Sequence, residues 1–346
     1  MSGPQISGEI IGPDTEPDWD DDLQDNAAGF GAALLTRQVS VGEDGHGQRL
    51  DKALAVLLPD LSRNLIQQLI DDGAVQVNGR IQTRSASKVK VADQVEVRCD
   101  LAAQARAFDA QSMDLAVVHE DAELLVIDKP VGLVVHPAPG HWSGTLLNGL
   151  LAHHRGARLL PRAGIVHRLD KDTSGLMVVA KTRAAMDALV GAMSRREVQR
   201  EYLALAHKAW QGPAQVSVEQ AIGRDPRQRI RMAVVDLTRQ VGKPARTDIR
   251  LLASQDQACL VRCKLHTGRT HQIRVHMRHL GHPLLGDALY GGRSLANLER
   301  QGLHAWRLSL THPGTGAPMS WQRPWPADMA SAAATLGLGG PELAGG

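Results

Sequence analysis

Residues 167–175 read His-Arg-Leu-Asp-Lys-Asp-Thr-Ser-Gly, a run of charges and hydroxyls between apolar segments. Asp170 follows Arg168 by two positions. A carboxylate acts as nucleophile or base near neutral pH only while it is ionised and held in one orientation. Partial burial raises its pKa, and a neighbouring guanidinium lowers it by ~1–3 units. The guanidinium can also grip it through two parallel hydrogen bonds. On an extended segment Arg168 and Asp170 project to the same side, with Thr173-Ser174-Gly175 supplying a turn. Taken alone, however, the segment reads as a surface loop with an ion pair worth ~0–1 kcal/mol.

Two other segments carry chemical groups. REVQREYLAL (196–205) puts Tyr202, one of only two tyrosines, on an alternating strand behind a basic run. By itself Tyr202 reads as a core residue. HTGRTHQIRVHMRHLGHPLLGD (266–287) reads as a Gly-containing turn, an N-cap at Thr270 and a helix ended by Gly281 and Pro283. Ile273, Met277 and Leu280 form its apolar stripe, and Arg274 and Arg278 lie off it. Its histidines (266, 271, 276, 279 and 282) lack an H-E-x-x-H pattern and read as solvated or capping groups, so no metal is expected. TGRTHQ lacks the glycine spacing of a phosphate loop. Cys259 and Cys263 share a strand face with Val261 and Leu265 and read as core thiols.

These groups need a scaffold, and 346 residues suggest two or three domains. Residues 1–30 hold eight acidic residues and no Lys or Arg. That leaves 39 basic and 29 of the 37 acidic residues to positions 31–346, a net of +10. A basic body suits a polyanionic partner. Three cysteines make no disulfide framework, and no apolar run is long enough to span a bilayer, so a reduced cytoplasmic protein is expected.

Residues 1–44 and 329–346 are expected to be mobile tails, because neither composition buries enough apolar area to offset ordering entropy. Within 45–100, Leu50, Ala53, Leu54, Leu57 and Leu58 follow helical spacing. A second helix capped by Ser62 carries Leu65, Ile66, Leu69 and Ile70 and stops at Gly73. Asn78-Gly79 marks a hairpin, and a strand follows from Lys90 to Val97. Residues 101–113 read as a linker. From 114 to 328, short strands (124–130, 176–182, 201–207, 259–265) with inserted helices indicate an α+β domain.

RLDKALAVLLPDLSRNLIQQLIDDGAVQVNGR (49–80) resembles the alpha-L RNA-binding domain first known from a small-subunit ribosomal protein. In order, DKPVGLVVHP (128–137), GTLLNGLL (144–151), GIVHRLDKDTSGLMVVAKT (164–182), REVQREYLA (196–204), IGRDPRQRIRMAV (222–234), GKPART (242–247), LHTGRTHQIRVHM (265–277) and GHPLLGDALYGG (281–292) resemble the pseudouridine synthases that include the bacterial large-subunit enzymes. The resemblance implies a large mixed, mainly antiparallel sheet with flanking helices and a central cleft.

It implies that Asp170 is the catalytic carboxylate. Asp170 would attack the base, attack the anomeric carbon, or remove a ribose proton, and the sequence leaves these open. It implies that Tyr202 stacks on the flipped uracil and that Arg274 pairs with Asp170. Arg168, Leu169, Ile273 and Arg269 are then expected to bind substrate. Arg49, Lys52, Arg63, Arg80, Arg195, Arg200 and Arg229 are expected along the RNA path. No cofactor is expected, because the reaction moves one bond within one nucleotide. The expected partner is large-subunit rRNA or a pre-ribosomal particle, bound by a monomer without a membrane. The uridine is expected in a hairpin loop, where extrusion costs least. The alternatives are the same chemistry on other rRNA or tRNA uridines, and a non-catalytic ribosome-assembly factor.

Overall fold

A computed structural model describes residues 34–59, 63–71, 73–100, 106–138, 141–228 and 230–339. Residues 34–114 and 134–155 form a smaller compact unit, and 115–133 with 156–339 form a larger one. Packing thus groups 134–155 with the smaller unit, whereas the sequence suggests one body over 114–328.

In the smaller unit, helices α1 (Leu50–Leu57) and α2 (Arg63–Asp71) pack on a sheet of β1 (Leu34–Ser40), β2 (Val75–Val77), β3 (Arg80–Gln82) and β4 (Gln94–Asp100), in the order β1-β4-β2-β3. Leu50, Leu54, Ile66, Ile70, Val75, Val95 and Val97 make its core. The Ser62 cap lies outside the described residues. Asn78 and Gly79 are both left-handed, at φ +52° and +74°, as a tight hairpin requires. The Asn78 side chain donates to Asp93 and accepts from Gln94 N–H. β4 starts later than expected because 90–93 closes a turn, with Lys90 N–H donating to Asp93 Oδ2 at 2.7 Å.

Two expectations fail here for local reasons. The stretch 34–40, expected in the acidic tail, is strand β1, paired along β4 from Leu34 opposite Asp100 to Ser40 opposite Gln94. Residues 1–33 of that tail lie outside the described residues. The expected linker is anchored from 106 onward: Asn148, in α3 (Leu146–His153), donates to the carbonyls of Ala107 and Asp109. The rest of it, 101–105, is outside the described residues.

The larger unit is α+β. Its strands are β5 (Val117–Glu120), β6 (Leu124–Lys129), β7 (Ser174–Ala180), β8 (Gln199–His207), β9 (Gln215–Val218), β10 (Ile222–Arg224), β11 (Met232–Val234), β12 (Thr247–Ser254), β13 (Ala258–Leu265), β14 (Leu303–Thr311) and β15 (Pro318–Gln322). Nine form one sheet, ordered β5-β6-β7-β14-β8-β13-β12-β9 with β15 on β14; β10 and β11 pair separately. Only β7 and β14 run parallel, so the sheet is mixed and mainly antiparallel.

All of β7 is buried, and so is Tyr202 to Ala206 of β8. Expected alternation on β8 gives way to burial on both faces, with Leu203 and Leu205 packed in the cluster of Leu285, Trp306, Met329 and Ala332. Helix α4 (Arg183–Ser194), capped by Thr182, packs Met186 and Leu189 into the cluster holding Leu176 and Val178. Helix α5 (Gln272–His279) places His276 and Met277 in the interior. Helix α6 (Ala327–Thr335) packs Met329, Ala332 and Ala333 with Trp306 and Trp325. Residues 329–338 are therefore part of the packed unit and not a flexible tail; 340–346 lie outside the described residues. Among the described residues no helix is long and apolar enough to cross a membrane.

Candidate active site

Asp170 sits in a loop before β7, not on a strand, and its side chain is 18% exposed. The segment before it is a short 3₁₀ turn (Pro161–Gly164), so only the following side is a strand. Several bonds hold this loop. Buried His167 accepts from Val178 N–H of β7 through Nε2 at 3.0 Å. Buried Lys129 donates to the carbonyls of Pro130, Leu133 and Lys171 at 2.9, 2.9 and 3.0 Å. Burial lowers the Lys129 pKa to about 8, although Asp170 and Asp172 pull it upward. Gly132 N–H also donates to the Lys171 carbonyl, so residue 171 has two donors from one turn.

The Thr-Ser-Gly turn has a distinct role at each position. Thr173 accepts from Gln301 Nε2 at 3.0 Å, and Ser174 Oγ lies 2.9 Å from His304 Nδ1. Gly175 has φ +113°, and a Cβ there would stand 2.2 Å from the Ala305 carbonyl oxygen. No side chain fits where β7 meets β14.

Arg274, from α5, reaches Asp170 across 104 positions of sequence, with Nη1 donating to Oδ2 at 2.9 Å. The sequence placed Arg274 off the apolar face, but it is buried. Its other nitrogens donate to Asp287, Nε to Oδ2 at 2.8 Å and Nη2 to Oδ1 at 2.9 Å. Its guanidinium also stands 4.9 Å from the Tyr290 ring centroid. Burial opposes the Arg274 charge, and the two carboxylates outweigh it, so its pKa rises. Burial likewise opposes the Asp170 charge, while His271 when protonated, and Arg274 and Arg168 throughout, stabilise it. The net effect holds Asp170 below the usual carboxylate value. The site therefore presents an ionised carboxylate with one oxygen held by Arg274.

Tyr202 is buried on β8, and its hydroxyl is pushed up to about 12 by burial, with Arg200 opposing and Asp170 assisting. Leu169 and Ile273 are buried beside their charged neighbours. Arg168 is exposed and acts on Asp170 through space. Arg269 donates to the Pro244 carbonyl. Arg200, expected along the RNA path, is half-buried next to Tyr202, with its guanidinium against Gly268; a Cβ at Gly268 would meet Nη1 at 2.9 Å. It belongs to the wall around Tyr202. Arg195 is exposed and paired to Glu197 at 2.8 Å. In the smaller unit Arg49, Lys52 and Arg80 are exposed, with Arg49 bound to Asp51. The Arg63 side chain and all of Arg229 lie outside the described residues.

Sequence reasoning missed Asp287, His271, Tyr290 and Lys129 as site residues. Thr270 is not the α5 cap; His271 is, with φ +56°. The remaining histidines of this region disperse. His266 binds Asp248, His276 lies between Thr247 and the Gln220 carbonyl, and His282 stacks on Trp210. Among the described residues no three His, Cys, Asp or Glu converge to hold a metal.

The family model of RNA pseudouridylate synthase matches residues 123–279, and that of the S4 domain matches 48–95. The chain is 45% identical over 305 residues to ribosomal large subunit pseudouridine synthase D of Escherichia coli O6:H1, covering 84% of this chain and 91% of that protein. This chain belongs to the RNA pseudouridine synthases. The synthase D of Nitrosomonas europaea is 45% identical over 314 residues, covering 88% of this chain and 89% of that protein. A solved structure, human RNA pseudouridylate synthase domain containing 4, shares the synthase fold at TM-score 0.51 and 23% identity, over 68% of this chain and 95% of that one. The synthase carries its S4 domain in the smaller unit and its Asp170–Arg274 pair in the larger.

Proposed function

We propose that this synthase isomerises specific uridines of large-subunit (23S) ribosomal RNA, in a hairpin loop, with Asp170 as the catalytic carboxylate. The carrying observation is the Asp170–Arg274 contact: Arg274 holds Oδ2, and the carboxylate side chain stays 18% exposed. Attack on the base, attack on the anomeric carbon and removal of a ribose proton all start from such an ionised, oriented oxygen. In the overall reaction the C1′–N1 bond breaks, C1′–C5 forms, C5 loses its hydrogen and N1 gains a proton. No electrons leave the nucleotide.

Tyr202 offers a phenol face to the extruded uracil, and its raised pKa keeps the hydroxyl protonated at neutral pH. Exposed Arg49, Lys52 and Arg80 of the S4 domain supply phosphate contacts. The rRNA assignment rests on relatives named for large-subunit pseudouridine synthesis. The working setting is a cytoplasmic monomer on rRNA or a pre-ribosomal particle.

The test is a pseudouridine map of rRNA and tRNA from a deletion strain complemented with wild type or Asp170→Asn. Sites in 23S rRNA that vanish and return only with wild type support the assignment. Sites lost from tRNA alone, or restored by Asp170→Asn, overturn it.

A further inference from the structure

His271 holds φ +56° and ψ 21° as the cap of α5. A non-glycine residue in this region costs of order 1 kcal/mol and persists where its surroundings hold it. Two hydrogen bonds in series bear on the ring. Met232 N–H, on β11, donates to Tyr290 Oη at 2.9 Å. The buried Tyr290 hydroxyl has one proton to give. Among the described residues its acceptor is His271 Nδ1, at 2.8 Å. Nδ1 therefore accepts, and the ring proton resides on Nε2.

That Nε2 lies 4.0 Å from Asp170 Oδ1, the oxygen Arg274 does not bind. The gap is about one ångström too long for a direct hydrogen bond. It leaves an Nε2–H donor beside the reacting carboxylate, close to it but not bonded to it. Beside that carboxylate a uracil must accept negative charge. Breaking C1′–N1 sends the bonding electrons into the ring, where the carbonyl oxygens share them. Addition of a carboxylate to the ring delivers electrons to a carbonyl oxygen as well. A fixed neutral donor stabilises either species more than the ground state.

We propose that His271 is a catalytic residue, a neutral Nε2–H donor whose tautomer is set by Tyr290 and which binds a uracil carbonyl oxygen next to Asp170. The inference rests on Asp170 as the catalytic carboxylate. Neutrality follows from the surroundings. Burial lowers the imidazole pKa below 6.5, Arg274 and Arg168 push the same way, and Asp170 and Asp287 oppose them without prevailing. Protonation in acid would put a second N–H against the Tyr290 hydroxyl and break the lock.

The experiment measures single-turnover tritium release from a [5-³H]uridine-labelled large-subunit rRNA transcript, alongside ¹⁵N-imidazole NMR of the whole protein. His271→Asn tolerates the left-handed backbone but is too short to present a donor at the Nε2 position; its rate should fall on the order of 10²-fold. His271→Gln reaches that position and should recover much of the rate. The wild type should lose rate in acid below pH 6.5 as His271 is protonated, and His271→Gln should lack that limb. An Asn variant equal to or faster than Gln would reduce His271 to a backbone role and overturn the proposal. The wild-type spectrum, which needs no variant to fold, should show the neutral Nε2–H tautomer at His271, and the Nδ1–H tautomer contradicts the proposal. Activity retained by Asp170→Asn would instead defeat the carboxylate reading, leaving the tautomer and the Asn–Gln order as separate results.

Discussion

Asp287 holds Arg274 by two parallel hydrogen bonds of 2.8 and 2.9 Å, leaving Nη1 as the nitrogen that reaches Asp170. Both partners are buried. Removing the Asp287 charge leaves Arg274 paired to Asp170 alone and forfeits a buried charge-assisted contact worth roughly 1.5–3 kcal/mol. Asp287→Asn should lower the urea midpoint accordingly and cut the single-turnover rate on the order of 10²-fold. A variant with wild-type rate and midpoint would remove Asp287 from the account.

Lys129 governs the same loop from the other side. Lys129→Met leaves three carbonyls in part-buried contacts without their shared donor, each worth about 1 kcal/mol. The variant should melt earlier, and the amides of Gly132 and Thr173 should exchange faster. Unchanged exchange at both would show that the loop does not depend on the ammonium.

Acid should weaken the larger unit through two buried histidines that stay neutral in the folded state. Burial holds His167 down to about 3, with Arg200 adding to the effect. Burial also holds His304 down to about 4 against an opposing pull from Asp128. In the unfolded chain both titrate near ~6.5. As pH falls below that value the unfolded chain takes up protons that the folded one refuses. Stability is thus full above ~6.5 and drops by about 1.4 kcal/mol per pH unit per histidine until the folded values are reached. Urea titrations between about pH 6.5 and 4.5 should show a shallower fall for His304→Asn, which removes one of the two groups. An identical slope would contradict the assignment.

Asp170 and its distant partner Arg274 were legible only through the family resemblance of the ordered strings that carry them, since nothing local joins residues 104 positions apart. Asp287 was not legible, since nothing about an aspartate after Gly286 reveals which guanidinium it faces. His271 looked like one histidine among many until the Tyr290 contact singled it out. The strand 34–40 was hidden by averaging it with acidic, Gly-rich neighbours. Helix α6 was hidden because its alanines bury little area themselves; Trp306 and Trp325 supply the surface they pack on.

The acidic N-terminal segment gives a further prediction from charge alone. Its eight carboxylates precede a body of net charge +10. Deleting residues 1–33, which spares β1, should tighten non-specific RNA binding at low salt, with the difference shrinking as salt rises. Equal affinities at low salt would dismiss any competition with RNA.

The most direct test of the central claim compares wild type with Asp170→Asn in tritium release from [5-³H]uridine-labelled large-subunit rRNA, with RNA affinity measured on the same samples. The account predicts release by wild type, none by the variant, and equal affinity for both. Release by Asp170→Asn at the wild-type rate would contradict it.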